Sequence, residues 1–243
     1  DEPGRYIYIR DNESRDFWSA SWQPVGKDLS EYKSECHHGT AYTKMIADYS
    51  DIHSEVRYYV PLNKTYEVWN LILTNNSKQA RSLNVTGYAE FTNNSNYEQD
   101  QVNLQYSQYI TQTVFVENRV RQMIHANLDQ IEEGREVDNK DVVNRFLGLA
   151  GSKVSSWCGD REEFLGRYHG YGNPTGVETG ELNNHGNYNE NGCGAITTTI
   201  ELAPGESRTI AFIVGMIDNK EAGKIVNLYA DTKAVCDREL EEL

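Results

Sequence analysis

The chain has 243 residues and a formal net charge of −14, with 37 acidic against 23 basic side chains. So acidic a balance excludes nucleic acid as a partner, because phosphate backbones are gripped by basic surface. The length suits one sizeable all-β domain, and sixteen tyrosines suit sheets with hydrogen-bonding faces. No apolar span or signal-peptide pattern occurs, so no membrane partner is expected. Cys36, Cys158, Cys193 and Cys236 show no paired spacing. They read as free thiols of a reducing, cytoplasmic compartment.

In chain order, residues 4–25 (GRYIYIRDNESRDFWSASWQPV) open with a strand through Tyr6, Ile7, Tyr8 and Ile9. A polar turn follows, then Phe17, Trp18 and Trp22, an aromatic cluster that reads as core or as a sugar-stacking platform. Val56, Tyr58 and Val60 alternate with Arg57 and Tyr59 until Pro61. Trp69, Leu71 and Leu73 share a face, and Asn75-Asn76-Ser77-Lys78 predicts a hairpin connection. Leu83, Val85, Gly87, Ala89 and Phe91 then form a core face, with Asn84, Thr86, Tyr88 and Glu90 on a polar one.

Ile110, Gln112, Val114 and Val116 lead to a second hairpin at Glu117-Asn118-Arg119, returning through 120–125. A surface loop is expected over 127–144, and a buried strand over 145–150. Ala203-Pro204-Gly205-Glu206 predicts a turn between strands at 196–202 and 209–216. From Lys220 onward, Ile225, Leu228, Val235 and Leu240 predict one amphipathic helix.

Three clusters bear on chemistry. His37 and His38 follow Cys36, but neighbours on a strand point to opposite faces, which favours a structural role near the core over a shared metal. Asp160, Glu162 and Glu163 resemble glycosidase carboxylates, yet the run DREE reads better as solvated surface or acids held by Arg161. The Gly/Asn/Tyr-rich run 166–194 lacks the strand and helix flanks of a phosphate loop. It reads as a long irregular loop covering a neighbouring domain or subunit near a substrate entrance. Asn-x-Ser/Thr sequons at Asn75, Asn84 and Asn93 matter only in a glycosylating pathway.

Residues 4–25, 35–42 (ECHHGTAY), 56–62 (VRYYVPL), 67–77 (EVWNLILTNNS), 160–168 (DREEFLGRY) and 202–208 (LAPGESR) carry a resemblance in their order and spacing. The chain resembles the N-terminal β-sandwich domain of the inverting cellobiose/chitobiose phosphorylases, glycoside hydrolase family 94. The resemblance implies a mostly β fold, an antiparallel supersandwich over 1–219. Residues 220–243 would begin a helical linker to a barrel of paired helices that holds the general acid. Asp1-Glu2-Pro3-Gly4 and residues 239–243 (ELEEL) read as cut ends, so a fragment of a larger enzyme is expected. The His38-Gly39 pair matches a family motif with no metal role.

For the intact enzyme the resemblance implies a hexosyltransferase that phosphorolyses a β-linked disaccharide reversibly and with inversion. Its partners would be the disaccharide, inorganic phosphate as co-substrate and a second copy in a homodimer, with no metal or organic cofactor. No catalytic residue is carried over. The segment 100–106 (DQVNLQY) corresponds to one from which cellobiose phosphorylases lend an arginine to the leaving sugar. Aligned on Asp100, Gln101 and Asn103, Tyr106 stands in its place, which makes cellobiose itself a doubtful substrate and leaves chitobiose, cellobionic acid or another β-disaccharide open. Gln105 and Tyr106 are the substrate-binding candidates, against a reading as ordinary strand residues. Two rival readings are a free-standing carbohydrate-binding module using Trp18 and Trp22, and a structural interaction domain with a covered apolar patch.

Overall fold

The computed structural model describes residues 4–91, 102, 104–124 and 144–243. Two antiparallel sheets face each other. The small one has five strands: β1 (Arg5–Asp11), β2 (Phe17–Ser19), β7 (Arg81–Glu90), β11 (Ser156–Asp160) and β12 (Gly192–Leu202), in the order β11-β12-β7-β1-β2. The large one has eight: β3 (Lys33–His38), β4 (Tyr42–Tyr49), β5 (Ile52–Tyr59), β6 (Tyr66–Asn75), β8 (Thr111–Val116), β9 (Arg119–Ile124), β10 (Asn144–Ala150) and β13 (Ser207–Ile217). Their order is β3-β4-β5-β6-β13-β10-β9-β8. The chain is the mostly β supersandwich expected from its sequence.

The core between the sheets gathers Ile7, Ile9, Trp18, Val56, Trp69, Leu71, Leu83, Val85, Leu147 and Phe212. Gly87 permits the close approach there, since a Cβ at that position would lie 2.4 Å from the Phe212 ring. Trp18 is 1% exposed and belongs to this core. Trp22 packs against the core from one side while its indole Nε1 donates to the Lys27 carbonyl at 2.8 Å. Neither tryptophan is a free stacking platform, which removes that form of the binding-module reading.

Part of each sheet's outer face is also covered, including the face of β7 that the sequence suggested was polar. On the large sheet, Tyr59, Val68, Phe146 and Ile213 pack under two helices, α4 (Asn219–Leu228) and α5 (Thr232–Glu242). The single helix expected from 220 onward is thus two. Tyr229 ends the first, and the Asp231 carboxylate accepts from the Ala234 amide to start the second. Leu228, the last residue of α4, is exposed and not on the buried face. Glu239 then accepts from the hydroxyls of Tyr59 (2.9 Å) and Tyr229 (2.8 Å), fastening α5 to the sheet.

On the small sheet, Tyr8 and Tyr88 are fully buried beneath α2 (Arg161–Leu165) and α3 (Thr175–Thr179), through Phe164, Val177 and Leu182. The run 166–194, expected to be one long irregular loop, holds α3 and packs through Val177 and Leu182 on this chain's own small sheet. Its tip does remain outside, with Tyr168 fully exposed.

The connection at Asn75 is a further correction. Strand β6 pairs with β5 and β13, whereas β7 pairs with β1 and β12, so the link crosses between sheets and is no hairpin. The turn at Ala203–Glu206, with Gly205 at φ 75°, makes a second crossing. The hairpin at Glu117-Asn118, by contrast, joins β8 to β9 as expected. Of the polar run 127–144, all but Asn144 lies outside the described residues, as does Asn93. Asn84 is engaged internally, donating to Gly180 O at 2.6 Å. No helix among the described residues is long and apolar enough to cross a membrane.

Asn75 is fully buried and ties the two crossings together. Its amide donates to Gln79 O (2.7 Å) and Leu202 O (3.0 Å), while its backbone bonds Glu206 O and receives Gly205 N. Asn75→Ala strands the buried Leu202 carbonyl, at a cost of about 2 kcal/mol in urea-unfolding free energy; a change under about 1 kcal/mol contradicts this account. Nearby, burial disfavours a charged Asp11, but bonds from the Ser14 and Glu13 amides and from Arg81 outweigh it and hold its pKa below the ordinary carboxylate value. A depressed folded pKa gives stability that is present above about pH 4, the unfolded value, and lost as pH falls through the folded one. Thermal melts should therefore show a smaller acid-side decline for Asp11→Asn than for the parent chain.

Candidate functional site

At the end of the sandwich opposite Asn75, the chain enters β8 through a short helix, α1 (Leu104–Tyr109). Asp100, Gln101 and Asn103 lie outside the described residues. Gln105 and Tyr106, weighed above as strand residues, are helical. The helix is anchored by buried Ser107 and by Ile110 just beyond it. Gln108 Nε2 donates to Asn191 Oδ1 at 3.3 Å, and Thr111 Oγ1 to Gln108 O at 3.2 Å.

Gln105, Tyr106 and Tyr109 face outward, with Tyr106 46% and Tyr109 56% exposed. A helix packed on a sandwich ordinarily turns its aromatics toward the sheet. Tyr188, also exposed, bridges Gln112 just along the chain and brings a third tyrosine to this end. Periodicity could not reveal Tyr188, because its partnership with β8 is tertiary.

Behind this surface the sandwich becomes polar. Asn187 N donates to Thr113 Oγ1 at 2.6 Å, and Thr113 Oγ1 to Gly159 O at 3.0 Å. Asp160 is buried instead of solvated, its Oδ1 accepting the Glu162 and Glu163 amides as the N-cap of α2. Glu163 meets His185 Nδ1 at 3.3 Å. The DREE acids are therefore a helix cap and its flank, and they face no common cleft. Beside them, Arg161 Nε contacts Glu90 (3.3 Å) and donates to the Tyr171 hydroxyl (3.1 Å), which itself donates to Glu90. Burial, then the Glu90 bond, raises the Tyr171 pKa, so it stays a neutral phenol.

The histidines are not near the core. All of β3 is exposed at the edge of the large sheet, where His37 Nε2 meets Glu35 (2.9 Å) and His38 Nε2 meets Cys36 Sγ (3.3 Å). Among the described residues no group of three His, Cys, Asp or Glu side chains could hold a metal. The four cysteines are free thiols, and burial pushes Cys236 up to about 11 and Cys193 well above the usual thiol value.

Residues 1–232 match the family model for the glycosyl hydrolase 94 supersandwich domain. The chain belongs to glycosyl hydrolase family 94. It is 34% identical over 217 residues to an N,N'-diacetylchitobiose phosphorylase of Vibrio proteolyticus, covering 89% of this chain and 26% of that protein. It is 27% identical over 223 residues to a solabiose phosphorylase of Paenibacillus borealis, covering 90% and 27%. The chain thus spans about a quarter of the curated relatives it matches. A bacterial glucoamylase solved with acarbose shares the fold, with a TM-score of 0.56 at 9% identity over 98% of this chain and 30% of its own.

The outward set of a short surface helix contributes little to folding. Replacing Gln105 and Tyr106 together by Ala should move the denaturation midpoint by less than the equivalent of about 0.5 kcal/mol. A larger loss would mean that these side chains are structural.

Proposed function

We propose that this chain is the supersandwich part of an inverting β-disaccharide phosphorylase. Its role is to brace a helical catalytic barrel, contribute to a homodimer and shape the acceptor side of the cleft through Gln105 and Tyr106. The observation that carries the reading is that α1 leaves Tyr106 and Tyr109 exposed at one end of a family 94 sandwich. The names of the phosphorylases it resembles supply the reaction class.

In that reaction a phosphate oxygen attacks the anomeric carbon as the glycosidic C–O bond breaks, and an aspartic acid of the barrel protonates the departing oxygen. Products are an α-sugar 1-phosphate and a free sugar. Phosphate is the nucleophile, so the second carboxylate that activates water in inverting hydrolases is dispensable. Residues 1–219 form the sandwich in this reading, and 220–243 lead toward the barrel. Inorganic phosphate is the co-substrate, and neither a metal nor an organic cofactor has a role. The cytoplasm is the compartment in which the free thiols would persist.

Tyr106 offers a stacking face and one hydroxyl where an arginine would give a forked cation. That chemistry suits a neutral or N-acetylated acceptor sugar better than an anionic one. In the full-length enzyme assayed with N,N'-diacetylchitobiose and phosphate, Tyr106→Ala should raise the disaccharide KM roughly tenfold, the worth of one lost stack or hydrogen bond. The phosphate KM should not move. An unaltered disaccharide KM rejects the acceptor role, and sugar phosphate formed by the 243-residue chain alone rejects the bracing role.

A further inference from the structure

The lateral seam of the sandwich holds a cleft of about 550 Å³ between β8 and β11, the edge strands of the large and small sheets. That volume lies within the range of small-ligand sites. It sits toward the far end of β8 from α1. Its apolar wall is the pair Phe115 and Trp157, stacked with ring centroids 5.2 Å apart and planes at 16°. Both rings are half-buried and both line the cleft, one from each sheet. Val154 extends the wall.

The opposite requirement, hydrogen-bonding groups around an apolar platform, is met as well. The exposed Lys153 lines the cleft and makes no ion pair among the described residues. Asn118 also lines the cleft, its Nδ2 donating to Leu149 O at 3.2 Å. The backbone adds two more groups. Residues 183–188 strap the seam higher up, where Thr113 N donates to Asn187 O at 3.2 Å and Asn184 N to Trp157 O at 2.9 Å. Peptide groups alternate along an antiparallel strand, so those of Phe115, two residues past Thr113, face the same outer side. There the strap has ended and no described residue pairs with them.

We infer that this seam is a carbohydrate-binding subsite for one pyranose ring of a β-linked gluco-configured oligosaccharide. Such a ring carries C–H bonds on its faces and hydroxyls around its rim. It would lay a face on the Phe115–Trp157 wall while its rim meets Lys153 and the Phe115 peptide. A purely apolar ligand would leave the Phe115 peptide groups and Lys153 without partners. The inference stands on the cleft itself and does not require that Gln105 or Tyr106 touch an acceptor sugar.

The test is a calorimetric and tryptophan-fluorescence titration of the chain with cellotetraose, for the parent, Trp157→Ala and Lys153→Ala. Saturable binding with a fluorescence change is expected for the parent. Trp157→Ala should weaken it more than about tenfold, as truncating a stacked tryptophan anchor does, and Lys153→Ala should weaken it measurably. Absence of saturable binding by the parent overturns the subsite. So does unchanged affinity in a Trp157→Ala protein with parental circular dichroism. Should that variant not fold, Lys153→Ala decides, and unchanged affinity there overturns it too.

Discussion

Two sheets facing each other can slide unless something fixes their mutual register, and here that constraint is a single buried amide. Asn75 stands where β6 leaves the large sheet for the small one. It is bonded to the corner at 202–206, where β12 leaves the small sheet for the large one. The β4–β5 turn joins the same knot, since Asn76 N donates to Asp51 O and Arg81 Nη1 to Ser50 O. Buried amides are tolerated only when satisfied, so the three corners can occupy only the arrangement that satisfies this one. Helix α1 projects at the opposite end.

Tyrosine is how the chain covers four sheet faces with limited aliphatic content. A phenol buries a large ring and still satisfies its hydroxyl at the edge. Tyr8 packs under α2 while donating to Tyr171 O, and Tyr59 and Tyr229 pack under α5 while sharing Glu239. Helices that cover a sheet in this way are held by a few directed bonds as well as by contact area.

Those covers explain what the sequence could and could not disclose. Strand positions were legible from alternation, and the inner face from 83 to 91 was read correctly because it meets the other sheet. The outer face at Tyr88 was misjudged as polar because its cover comes from residues 164–182, far along the chain. Turn residues at Asn75 and Gly205 announced reversals, yet turn chemistry is local and carries no information about which sheet the next strand joins. Asp231 was a visible cap signal, and giving it weight would have split the final helix. At the candidate site, the importance of 105 and 106 rested on resemblance alone, since six helical residues are too few for periodicity to register. Phe115 and Trp157 are unremarked in the sequence because they meet only once both sheet edges are placed.

Carboxylates decide where bond breaking can occur. A general acid must be free to hold a proton and face the substrate, but the buried acids here have their oxygens committed. Asp11 receives two amides on one oxygen and Arg81 on the other. Asp160 receives two amides on Oδ1 and lies 3.5 Å from Asn187 Nδ2 through Oδ2. Glu239 is shared by two tyrosines, and Glu90 by Arg161 and Tyr171. Freeing any of these would dismantle a cap, a crossing or a helix anchor. Under the proposed reading the division of labour fits this: these four acids hold the shape of the sandwich, and the proton for the leaving sugar comes from the barrel.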